Sequence, residues 1–189
     1  MKDQRPQIAF RLDGNDHIGM GHLSMCYSLA VELQKELSAD IHFLMLESSL
    51  GNAFVEWIRH RDIRIWIVSG DIPYQEEQTR TAAVLQQLLP SAVITDLLTA
   101  DPTDQDFFDD PHLELVQVRE YVTWLCSLGF PVVSITTDST PVDMAPDLLV
   151  AFHPRQLEIS YLFDSTKRLL GPDYVVLGQD YLRYRCTKR

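Results

Sequence analysis

A chain of 189 residues, 46% apolar and 23% charged, is long enough to bury one full core and too apolar to stay disordered. Its formal net charge of −11 excludes a general affinity for nucleic acid or an anionic membrane, so an anionic ligand would need a locally favourable pocket. No apolar run reaches membrane-spanning length, the opening Met1-Lys2-Asp3-Gln4-Arg5-Pro6 has no signal-peptide core, and the scattered Cys26, Cys126 and Cys186 have neither metal nor redox spacing, so a cytoplasmic setting is expected.

The first apolar run, residues 7–11, predicts a strand. It leads through Leu12-Asp13-Gly14-Asn15-Asp16-His17-Ile18-Gly19-Met20-Gly21-His22 into a helix, where Leu23, Cys26, Ala30, Leu33 and Leu37 recur on one face. A strand follows at 41–46, a helix through Ala53, Phe54, Trp57 and Ile58, and a strand at 63–68. Asp71 and Pro73, with Glu76 and Glu77 in the first turn, open a helix over about 75–89. Next come a strand at 92–95, an acidic loop over 100–111, and a helix over about 113–128 that Gly129 stops. Strands at 131–136 and 147–151 complete the pattern. Short Ile- and Val-rich strands alternating with amphipathic helices predict a Rossmann-like α/β domain, with a parallel sheet covered by helices on both faces. Ligands of such sheets bind beyond the carboxyl ends of the strands, where the glycine loop leaves strand one.

Three mechanical readings of that loop compete. As a phosphate-binding Walker loop it lacks the lysine, because Met20 stands in its place. As a dinucleotide fingerprint it has Ser24 where the third glycine belongs, and Glu47 comes late for a ribose contact. In the third reading, Gly19 and Gly21 bare the backbone for a ligand, and His22 sits in the first turn of a helix whose N-terminus disfavours a second positive charge. Neutral imidazole accepts a proton, which suits a general base. The bland alternative is a tight strand-to-helix turn with a capping histidine.

The stretch Phe10 to Ala30 resembles the opening of the UDP-sugar hydrolases of pseudaminic acid biosynthesis and their spore-coat polysaccharide relatives. Their pattern is approximately F-R-x-D, a variable loop, I-G-x-G-H, then a helix with R-C and L-A. Phe10, Arg11, Asp13, Ile18, Gly19, Gly21, His22, Cys26, Leu29 and Ala30 fit it. Weaker echoes follow in order: Ile94-Thr95-Asp96 for a strand-four aspartate, Asp147-Leu148-Leu149 for a C-D-L-L segment, and Leu169 to Leu177 for the G-x-x-Y-A-L-L that closes the family's first domain.

The resemblance implies one half of a GT-B glycosyltransferase-like fold, whose cleft between two Rossmann-like domains hydrolyses the anomeric carbon–oxygen bond to UDP without metal or cofactor. It makes His22 the base that activates water and Asp13 its orienting or polarising partner. Arg11, Gly19, Met20, Gly21, Asp96 and Tyr174 are then expected at the substrate. Plainer roles stay open, with Asp13 capping a turn and Arg11 making a structural ion pair. Departures from the family pattern are Met25 for an arginine, Leu97-Leu98 for His-Tyr, Thr137 before Asp138 for an Asp-Asp pair, Phe152-His153 for an asparagine, and Gly178 for an arginine. By the analogy residues 1–189 form one domain, with about 164–189 as a linker or interdomain segment towards a second domain; one half of a split enzyme with a partner chain, an excised domain and a half-protein put to another use all stay open.

Other features read as structural. Asp104-Gln105-Asp106 is a solvated acidic loop, Asp109, Asp110 and His112 lack a ligand set, and Trp57, Trp66 and Trp124 fall in apolar patterns as core. No G-x-S-x-G elbow or Cys–His signature points to a covalent nucleophile. Two functions follow: part of a nucleotide-sugar hydrolase of nonulosonic acid or surface polysaccharide biosynthesis, or a non-catalytic binding or assembly domain that keeps the fold after its polar site has decayed.

Overall fold

In a strand buried on both faces, successive side chains enter opposite cores, and the strands of this chain divide their residues in that way. The computed structural model describes residues 5–14, 20–50, 53–69, 74–97, 111–136, 145–158 and 166–176. They form β1 (Gln7–Leu12), α1 (Gly21–Leu37), β2 (Asp40–Leu46), α2 (Ala53–Arg59), β3 (Ile63–Ser69), α3 (Tyr74–Leu88), β4 (Ala92–Asp96), α4 (Pro111–Ser127), β5 (Val132–Thr136), β6 (Leu148–Ala151) and β7 (Lys167–Leu170). Every pairing is parallel, in the order β3-β2-β1-β4-β5-β6-β7. This is the expected Rossmann-like sheet, with β1 inside it. The chain first builds outward through β2 and β3, then returns to β4 on the other side of β1, so the order reverses between β1 and β4.

Ile8, Phe10 and Leu12 of β1 face α1 and α2, joined by Leu23, Cys26 and Ala30 of α1 and Val55 and Ile58 of α2. Ala9 faces α3 and α4, where Leu85, Tyr121, Val122 and Leu125 fill the second core. Each buried Leu, Ile or Phe contributes roughly 1.5–3 kcal/mol, so both helical layers are held chiefly by burial. Gly129, at φ 82°, ends α4 in the left-handed conformation that glycine adopts without strain.

Two expectations change. The segment from about 164, read as linker, contains β7, which pairs with β6 from Leu148↔Lys167 to Ala151↔Leu170 and so belongs to the sheet. Trp57, read as core, is 40% exposed; it stacks on Phe54 at 5.3 Å and carries Arg61 over its ring at 4.4 Å. Trp66 and Trp124 pack against the α3/α4 core as expected. Among the described residues no helix is long and apolar enough to cross a membrane.

Candidate active site

Leu12, the last residue of β1, pairs with Asp96, the last of β4, so both strands end together where the strand order reverses. Asp96 follows Ile94 by two positions and therefore points to the same face, towards α1. His22 and Cys26 are four apart on α1 and share the helix face turned to it. The geometry follows from these two periodicities. His22 Nδ1 lies 2.8 Å from Asp96 Oδ1, and Cys26 Sγ lies 3.7 Å from Asp96 Oδ2. Asp96 is buried, with a side-chain exposure of 2%, against 15% for His22.

A carboxylate only accepts hydrogen bonds, so the proton of neutral His22 sits on Nδ1 and the basic lone pair on Nε2. Burial, reinforced by the neighbouring Asp96 charge, pushes the Cys26 thiol well above its ordinary range. It therefore stays protonated and donates. Asp96, expected at the substrate, is placed against the histidine. A buried carboxylate on Nδ1 fixes the tautomer of a neutral imidazole and would stabilise its protonated form. Met20, the N-cap of α1, supplies no side-chain cap bond, and Gly21 opens the helix at an exposed position.

A second polar cluster gathers at the carboxyl end of β1, with Arg11 on the other face of the sheet. Asp13 is 4% exposed. Its Oδ1 accepts the Leu46 N–H at 2.8 Å and the Ser49 hydroxyl at 3.2 Å, while Oδ2 takes Arg11 Nη1. Arg11, 2% exposed, also gives Nε and Nη2 to Glu77 Oε1, each at 2.7 Å, and Nη1 to the Leu12 carbonyl at 3.1 Å. The Tyr121 hydroxyl donates to the same Glu77 oxygen at 2.8 Å. Burial raises the Asp13 carboxyl from its ordinary value against the pull of Arg11, and burial keeps the Tyr121 phenol un-ionised. Every polar atom of Arg11 is turned to a protein partner. Asp13 pins the carboxyl end of β1 to β2. These contacts match the plainer roles left open for both residues, a turn cap and a structural ion pair.

The remaining expected positions are scattered. Gly19 lies outside the described residues, as do Leu98, Thr137, Asp138, Gly178 and the acidic loop with Asp104, Asp106, Asp109 and Asp110. Tyr174 is 43% exposed on a short 3-10 helix after β7, and β7 is three strands beyond β4, about 14 Å along the sheet at the usual strand spacing. It does not join the dyad. Met25 and Phe152 pack against the α1/α2 core and Leu97 against the other, so these departures from the family pattern serve packing. Among the described residues no group of three or more His, Cys, Asp or Glu side chains could hold a metal ion.

A cavity of about 850 Å³ opens at the opposite, amino-terminal edge of the sheet, lined by Arg5, Lys35, Arg59, Arg61 and Arg64 with Asp40 and Asp62. Four of its five cations have structural partners: Lys35 pairs with Glu32 and Glu36, Arg59 with Glu56, Arg5 with Asp40, and Arg61 lies on Trp57. Lys35 and Arg59 also occupy the last turns of α1 and α2, where positive charge suits the helix dipole. The cavity thus lies at the sheet edge opposite the His22–Asp96 pair. No protein-family model matches the chain, and no curated protein does, so the chemistry is read from the side chains themselves.

Proposed function

We propose that this domain carries the catalytic base of a nucleotide-sugar hydrolase, or of a closely related glycosyl-transfer enzyme, in nonulosonic acid or surface polysaccharide biosynthesis. His22 Nε2 takes a proton from water as the water oxygen bonds to the sugar's anomeric carbon. The bond from that carbon to the UDP oxygen breaks, and its electron pair leaves with UDP. Asp96 holds Nδ1–H and stabilises the imidazolium until His22 returns the proton to solvent. A second Rossmann-like domain, in the same protein or a partner chain, holds the nucleotide.

The observation that carries this reading is the 2.8 Å His22–Asp96 contact at the reversal of strand order, the place where open α/β sheets bind ligands. Two further features favour it: a helix N-terminus suited to anionic groups, and the ordered resemblance from Phe10 to Ala30. Asp13 and Arg11 enter as supports of the loop.

The test is UDP release from UDP-sugars by a complete assembly containing this chain. His22→Ala is expected to lower turnover by roughly two to four orders of magnitude with little change in melting temperature. A folded assembly that binds UDP-sugar and releases no UDP, with or without His22, would favour the non-catalytic binding domain.

A further inference from the structure

We infer that Cys26 is a positioning residue of this site: its thiol holds the Asp96 carboxylate in the orientation that keeps the His22 proton on Nδ1. The inference rests on His22 being the base, but its readout does not require turnover. Asp96 is buried at the end of β4, so each of its oxygens needs a donor within the protein. Oδ1 has His22, and Oδ2 faces the Cys26 thiol at 3.7 Å, within reach of a sulfur donor. Without a donor on Oδ2, the carboxylate could turn about its last side-chain bond and present either oxygen, or neither, to the imidazole.

Packing does not explain the thiol. Cys26 lies between Leu23 and Ala30 on the buried face of α1, where a purely apolar side chain would fill the same space. What the sulfur adds is a proton aimed at Oδ2. Burial and the adjacent carboxylate both keep that proton in place. The four-residue spacing is the mechanical reason: one helix face delivers the base and the clamp on its partner together. Among the described residues, the titratable groups set against the ring include Asp96 of β4 and, behind it, Cys26 of α1; Arg11 and Glu77 belong to the opposite face of the sheet.

The experiment is long-range proton–nitrogen correlation NMR of the full chain with labelled histidine, at about pH 8, above the ordinary histidine range. Wild type, Cys26→Ala and Cys26→Ser are compared. Wild type is expected to show His22 protonated on Nδ1, Cys26→Ser to retain that tautomer through its hydroxyl, and Cys26→Ala to show a mixture. In a complete assembly Cys26→Ala is expected to lower UDP release by about threefold to tenfold, the scale of one modest hydrogen bond, with Cys26→Ser largely restoring it. If Cys26→Ala fails to fold, Cys26→Val fills the space without a donor and serves in its place. An unchanged tautomer in a folded donor-less variant overturns the inference. A mixed tautomer with unchanged UDP release confirms the clamp and overturns His22 as the base.

Discussion

Gly14 and Gly21 lie on either side of the segment between β1 and α1 and do different things. A Cβ built on Gly14 would meet Leu23 Cβ at 2.8 Å and Leu23 Cδ2 at 3.1 Å. A Cβ cannot swing aside as a side-chain tip can, so the loop or α1 would have to move. Gly14→Ala is expected to cost about 1–3 kcal/mol, the scale of overpacking, read as a lower melting temperature. It should also disturb the His22–Asp96 contact, because α1 carries the histidine. A Cβ on Gly21 meets nothing within 4 Å. Gly21→Ala should therefore melt like wild type, and a fall in its UDP release would report a ligand approaching the helix start. Asp13→Ala would strip partners from Leu46, Ser49 and Arg11 at once and leave Arg11 beside Glu77 alone. Breaking a buried ion pair costs about 3–5 kcal/mol, so Asp13→Ala should lose stability and activity together, unlike His22→Ala.

Between strands, a polar relay crosses the sheet from β1 to β3. The Trp66 indole, a donor only, gives its N–H to His42 Nδ1 at 3.1 Å, so neutral His42 carries its proton on Nε2 and donates to Gln7 Oε1 at 2.7 Å. A second proton on His42 would face the indole N–H. Burial, assisted by the charge of Arg64, lowers the His42 pKa from its ordinary value. The unfolded chain therefore binds this proton first as pH falls. Stability is full above about pH 6.5, the unfolded value, and declines below it until the folded imidazole also titrates. The slope from this one group is at most about 1.4 kcal/mol per pH unit. Urea unfolding at pH 7.5 and at lower values should show the decline in wild type and a smaller one in His42→Gln. Equal slopes would place the acid sensitivity elsewhere.

Which elements were legible in the sequence follows from the range of the forces that form them. β1 to β6 announce themselves as apolar runs because both faces are covered, and α1 by its three-and-four spacing. Lys167-Arg168-Leu169-Leu170 did not read as a strand: at four residues on the sheet edge, half of them cationic, it has no run to show. His22 was legible from its place after the glycine loop. Asp96 was found, but its contact with His22 was not, since that depends on its register beside Leu12. Glu77 read as an ordinary first-turn acid, and nothing local marks it as the mate of Arg11 across 66 positions of chain. Tyr121 vanished into an apolar helix pattern for the same reason.

Across the whole molecule, the parallel strands separate a carboxyl edge that holds the His22–Asp96 pair from an amino edge that holds the arginine-rich cavity. If the cations at the amino edge are only structural, Arg61→Gln and Arg64→Gln should leave UDP release within about twofold, since changes at distant sites with no shared partners are nearly independent. A large loss would move the anionic part of the substrate to that edge. The central claim is that His22 and Asp96 work as one unit, and a double-mutant cycle of turnover in the complete assembly tests it most directly. Asp96→Asn keeps the shape of the side chain but removes the charge that fixes the tautomer. It should lower turnover by roughly two to four orders of magnitude, as His22→Ala does, and the double variant should be no slower than His22→Ala alone. If the two losses multiply, or if either single variant turns over like wild type, the pair is not the catalytic base.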